Sequence, residues 1–104
     1  MPTWLPSILR GIGDLAAAGR VRFTLKALRE LAALSLDADD AVDVLRALSR
    51  TDAHGRLRTA GTGEWMYVFK PTVGEQVIYL KVAVRDECIV VSFHEDEADH
   101  DDSG

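Results

Sequence analysis

The spacing of apolar residues changes once along this chain, from a period near 3.6 to a period of 2, close to residue 54. Before that point, Leu5, Ile8, Leu9, Ile12, Leu15 and Ala16 recur at i, i+3, i+4 and i+7, which predicts a helix with one buried stripe. Gly19 stands where a helix commonly ends in a left-handed residue. A short extended piece, Val21–Phe23, follows, and Thr24 is placed to cap a second helix that turns Leu25, Leu28 and Leu31 inward. In LDADDAVDVLRAL, Asp37 can accept from free N–H groups, while Asp39 and Asp40 in the first turn suit the positive end of the helix dipole. Leu36 and Ala41 hold staple positions around that cap, and Ala41, Val44, Leu45 and Leu48 form the inward stripe.

After GTGEW, which reads as a turn, WMYVFK, QVIYLKVAV and ECIVVSFH alternate as strands, with Arg56–Thr59 as a fourth. Short connections between successive strands favour an antiparallel meander. The fold class is α+β, an antiparallel sheet with the N-terminal helices packed on one face. With Arg85 and Asp86 as a two-residue hairpin tip, Val82 pairs with Ile89, Leu80 with Val91, and Ile78 with Phe93. Each such side chain stabilises the fold by about 1.5–3 kcal/mol when fully buried, before conformational entropy, so this apolar face belongs under the helices.

The other face then carries Val77, Tyr79, Lys81 and Ala83 beside Cys88, Val90, Ser92 and His94, with Tyr67 joining from the preceding strand. A solvated sheet face is the plain explanation for these polar residues. His94 argues for more, because an imidazole can give or take a proton near neutrality. Tyr79 can hydrogen-bond a phosphate or donate to a leaving oxygen, and Lys81, Arg56 and Arg58 can offset phosphate charge. Together they suit phosphodiester cleavage by acid–base and electrostatic catalysis without a metal.

Weaker constellations give way to this one. GIG at 11–13 lies within a helical stripe and GTG at 61–63 precedes a strand, so neither is a phosphate loop. Ser92 and His94 lack a visible oxyanion hole, Cys88 suits a small buried strand residue, and a metal held by His94, His100 and carboxylates depends on a tail expected to be disordered.

The net charge of −5 comes from six carboxylates in the last ten residues; positions 1–94 carry twelve basic and eleven acidic side chains. The expected organisation is one domain over 1–94 and an acidic, solvated tail over 95–104, which could fold back on a basic patch of its own body. Overall acidity therefore says little against an anionic ligand. No window approaches the ~20 apolar residues of a membrane span, no signal peptide is visible, and the single cysteine fits a cytoplasmic protein.

The order of these motifs resembles the MqsR family, toxins of type II toxin–antitoxin systems. The likeness runs from Gly19 to Glu95 through GRVRFTLKAL, LSLDADDAVDVL, ALSRTD, WMYVFKP, the YLK of VIYLKVAV and IVVSFHED. It implies a RelE-like fold and a sequence-selective, ribosome-independent mRNA endoribonuclease; such an RNA would be single-stranded, with exposed bases free to stack on an aromatic ring such as Tyr67. It also implies no cofactor and restraint by a cognate antitoxin protein. Position by position, it places the functional tyrosine on Tyr79 and a functional lysine on His94. A glutamine site falls on Met66, and a second lysine near Arg56, with Arg58 as competitor. Tyr79, His94 and Arg56 are thus the expected catalytic residues, with Arg58, Lys81 and Tyr67 contacting RNA. Met66 cannot make the glutamine's hydrogen bond, which leaves a catalytically impaired, protein-binding relative as the alternative reading.

Overall fold

In the computed structural model, which describes residues 2–96, three α-helices and six strands follow one another as α1 (Leu5–Ala17), β1 (Val21–Phe23), α2 (Leu25–Ala33), α3 (Ala38–Ala47), β2 (Ala53–Arg58), β3 (Trp65–Phe69), β4 (Thr72–Val73), β5 (Gln76–Val84) and β6 (Cys88–Glu95). The sheet runs β1-β6-β5-β3-β2, with β4 paired to β5. The β2-β3-β5-β6 part is the expected antiparallel meander; β1 adds a parallel edge strand on β6. No helix of the described residues is long and apolar enough to cross a membrane.

The helix signals produce the expected caps. Asp37 accepts from the Asp40 N–H and Asp40 returns the bond to the Asp37 N–H, each at 2.9 Å, closing a capping box at α3. Gly19 takes φ +74°, and the Arg20 N–H reaches back to the Leu15 carbonyl at 2.8 Å to satisfy the end of α1. Ile12 and Ala16 of α1, Ala41 and Leu45 of α3, and Phe69, Leu80, Val82 and Phe93 of the sheet share one core.

Helix α2 departs from the expected stripe. Leu25 and Leu28 are exposed, at 62% and 43%, while Ala27 and Leu31 are buried. The cause lies at Thr24, which is tied to β6 twice: its N–H donates to the Val90 carbonyl and its hydroxyl to the Val91 carbonyl. The same hydroxyl accepts from the Ala27 N–H, so the start of the helix is fixed in rotation and the 27/31 stripe points inward.

The β5–β6 register also departs from expectation. The tip is a three-residue turn, in which the Arg85 N–H donates to the Glu87 carbonyl, and Val84 pairs with Cys88. A bulge then inserts Val91: Val82 pairs with Val90, but Lys81 pairs with Ser92 and Leu80 with Phe93. Cys88, Val90 and Phe93 consequently face the core, whereas Ile89 and Val91 do not join it. The bulge changes the strand's parity within one residue, which is why no uniform pairing describes it.

Glu95 and Asp96, grouped with the tail in the sequence, close the last strand. Asp96 donates its N–H to the Val77 carbonyl and its carboxylate meets Lys70 Nζ at 3.4 Å. The rest of the acidic tail, including His100, lies outside the described residues, and with it any fold-back.

Candidate active site

The polar face of the sheet is organised by one pairing. Tyr79 of β5 stands directly opposite His94 of β6, and their rings stack with centroids 5.1 Å apart and planes 10° from parallel. The next row on that face is Lys81 opposite Ser92. His94 Nδ1 lies 2.9 Å from the Glu95 carbonyl. A carbonyl can only accept, so Nδ1 donates in this contact, and Nε2 is the ring nitrogen left to exchange a proton with a ligand.

Helix α2 supplies a second layer of charge. Beyond Val90, β6 has no β1 neighbour, and α2 lies along it instead. The Phe93 N–H, which a strand partner would otherwise satisfy, donates to Glu30 Oε1 at 2.9 Å. Glu30 Oε2 accepts from Lys26 Nζ at 3.1 Å, and Lys26 Nζ also donates to Ser92 Oγ at 3.0 Å. Desolvation pushes the Glu30 carboxyl upward. The Phe93 N–H, the hydrogen bond and charge of Lys26 and the charge of nearby His94 outweigh it and hold the group below its ordinary value. The Lys26 ammonium group thus reaches buried Ser92, whose cross-strand partner is Lys81, one row from the stacked rings.

The structure divides the sequence-derived candidates. Tyr79, His94 and Lys81 share the polar face. Tyr67 does not: it pairs with Val82, is buried, and packs its ring 5.3 Å from Trp4. Alternate residues of β3 point to opposite faces, and the pairing of Tyr67 with Val82 assigns it to the helix side. Arg56 pairs with Tyr67 and Arg58 with Trp65, so both follow it to the helix side. There the Arg56 guanidinium carbon lies 3.9 Å from the Trp65 ring centroid and 5.1 Å from that of Trp4, and Arg58 lies 4.5 Å from Trp65. Met66, by contrast, alternates onto the face of Val68, which pairs with Lys81.

Lys26 and Glu30 were missed by sequence reasoning. Their i, i+4 spacing signals only an ordinary surface helix pair, and nothing local shows that α2 will replace β1 beside the second half of β6.

A mixed sheet with helices on one face and a phenol, an imidazole and two ammonium groups on the other defines a small α+β protein whose open face suits an anionic substrate. The family described as "Motility quorum-sensing regulator, toxin of MqsA" matches residues 7–95. Across 88 residues the chain is 33% identical to the mRNA interferase toxin MqsR of Escherichia coli (strain K12), covering 84% of this chain and 90% of that protein. The chain belongs to the MqsR toxin family.

Proposed function

We propose that this chain is an mRNA endoribonuclease, the toxin of a type II toxin–antitoxin pair, and that it cleaves single-stranded mRNA sequence-selectively and without a metal at the Tyr79–His94 pair. Family membership and the similarity to an mRNA interferase support the activity. The single observation that carries the assignment of the site is the stacking of an imidazole on a phenol, next to a row that holds Lys81 and the Lys26–Ser92 contact.

In this mechanism the 2′-hydroxyl attacks the adjacent phosphorus while His94 Nε2 takes its proton. Tyr79 donates its phenolic proton to the departing 5′-oxygen, and the imidazolium restores it afterwards. The products are a 2′,3′-cyclic phosphate and a 5′-hydroxyl. Lys81 and Lys26, rather than Arg56, stabilise the added negative charge on the phosphate, because they stand on the face where the reaction occurs. A cognate antitoxin protein restrains the activity.

The test is to incubate purified protein with a long mRNA in the presence of a chelator and identify the new ends by mass spectrometry. Cyclic phosphate ends, lost in His94→Ala, are expected. Intact RNA with the unmodified protein would instead support the impaired, protein-binding alternative.

A further inference from the structure

A cleft of about 490 Å³ opens between the start of α1 and the start of β2, with Trp4, Arg50, His54 and Gly55 among its lining residues. It lies on the rim of the sheet, away from the Tyr79–His94 pair, yet the pairing registers connect the two. Gly55 pairs with Val68, Val68 with Lys81, and Lys81 with Ser92, one row crossing four strands. At ~4.8 Å between strands, Gly55 is roughly 10 Å from Lys81 along that row. A chain passing over Lys81 therefore reaches the rim within two or three nucleotides. Gly55 presents no side chain there, and a Cβ at this position would meet nothing within 4 Å, so the rim is open.

Arg50 and the indole of Trp4 line the cleft together with Pro2, Leu5 and Ala53, and two further guanidinium groups stand near it on β2. Arg50, Arg56 and Arg58 form no ion pair among the described residues. Arg56 and Arg58 alternate onto one face of β2, about 7 Å apart along the strand, and Arg56 lies over the Trp4 ring that walls the cleft. Unpaired guanidinium groups beside an indole suit a single-stranded polyanion whose bases can stack.

We infer that this cleft binds a nucleotide of single-stranded RNA flanking the scissile position, its base against Trp4 and its neighbouring phosphates on Arg50 and Arg56. The strand thus lies across the polar face and bends over the β2 rim. The inference rests on the ribonuclease reading for the identity of the ligand, while its test reads binding and not cleavage.

The experiment measures affinity for 2′-O-methyl oligoribonucleotides of three and eight nucleotides, which cannot be cleaved, with Arg50→Gln/Arg56→Gln and with Arg50→Gln alone. The single variant leaves the Trp4–Arg56–Trp65 stack intact and controls for folding. The unmodified protein should gain at least tenfold on lengthening the RNA. The double variant should lose that gain, with a salt slope shallower by roughly 1.4, and the single variant should lose about half of it on a logarithmic scale. An equal gain in all three proteins overturns the cleft, even where RNA is cleaved at His94. Loss of the gain in a protein that never cleaves mRNA upholds the cleft and removes the ribonuclease reading. Variants that bind RNA normally but fail to bind the antitoxin would assign the surface to protein recognition and overturn the inference.

Discussion

His94 lies flat against Tyr79, with ring planes within 10° of one another, because the two residues are direct cross-strand partners and a bulge one turn of the pleat away sets their register. Had the Val84–Cys88 register continued without the bulge at Val91, Tyr79 would face Phe93, and His94 would pair with Ile78 and turn to the other face. The bulge thus builds the proposed catalytic contact.

His94→Ala should lower RNA cleavage by about 10²- to 10⁴-fold, the usual contribution of a positioned acid–base group. Tyr79→Phe should fall in the same range while leaving the melting temperature close to that of the unmodified protein, since the ring stays. Full activity in Tyr79→Phe would remove the phenolic hydroxyl from the chemistry.

Lys26 gives a separate kinetic expectation. Lys26→Met keeps the aliphatic stem but removes the ammonium group from Ser92 and Glu30. Cleavage should weaken by about tenfold or more through loss of charge stabilisation. Arg58→Met, on the opposite face, should leave the rate constant for a trinucleotide substrate less affected. Single-turnover rates on the two variants distinguish the faces. Equal losses would contradict the division of charges between them.

The helical half was largely legible because its signals are local. Asp37 caps α3 and Gly19 ends α1 from a few neighbouring residues, whatever the rest of the fold does. Register was not legible, because both parities of CIVVSFH and of WMYVF are apolar and alternation cannot choose between them. Tyr79, His94 and Lys81 were found together since β5 and β6 are consecutive strands and carry the few polar residues. Tyr67 was assigned to the wrong face, and the side taken by Arg56 and Arg58 was not legible, since their parity depends on the pairing of β2 with β3 and of β3 with β5 across a longer connection. Lys26 needed a contact with a residue 66 positions away, which no local pattern encodes.

Glu30 should make stability depend on acid pH. Its carboxyl is held below the ordinary 4.5 in the folded protein, so its contribution is fully present above that value and is lost as pH falls through the lower folded value. Glu30→Ala strands the Phe93 N–H and should cost about 1–3 kcal/mol near neutral pH. The difference between the two proteins should narrow below pH 4.5. Urea titrations at pH 7 and pH 3.5 measure this, and a constant difference would show that Glu30 is not held as the carboxylate.

Thr24 joins the cap of α2 to the bulge of β6 through one hydroxyl. Thr24→Ala should destabilise the fold by about 1–2 kcal/mol, at the upper end for a helix cap because the Val91 carbonyl also loses its donor. Thr24→Ser keeps both bonds and should lie within about 0.5 kcal/mol of the unmodified protein. Denaturant midpoints of the two variants test the linkage. Similar losses in both would mean that the methyl group, not the hydroxyl, carries the effect.

Cys88 is fully buried against Val84 and the parallel strand β1, and burial pushes its thiol up to about 12. The attacking species in thiol chemistry is the thiolate, so the folded protein should resist Ellman's reagent at pH 8 and react only as it unfolds. The same raised value sets a sign in alkali. An unfolded thiol ionises near 9 while the folded one keeps its proton, so stability should fall by up to about 1.4 kcal/mol per pH unit between those values. Cys88→Ala removes this slope at the cost of a small cavity, and its unfolding free energy should decline less steeply between pH 9 and pH 11. Parallel slopes for the two proteins, or rapid labelling of the native thiol, would place Cys88 in contact with water and contradict the core position on which the β5–β6 register depends.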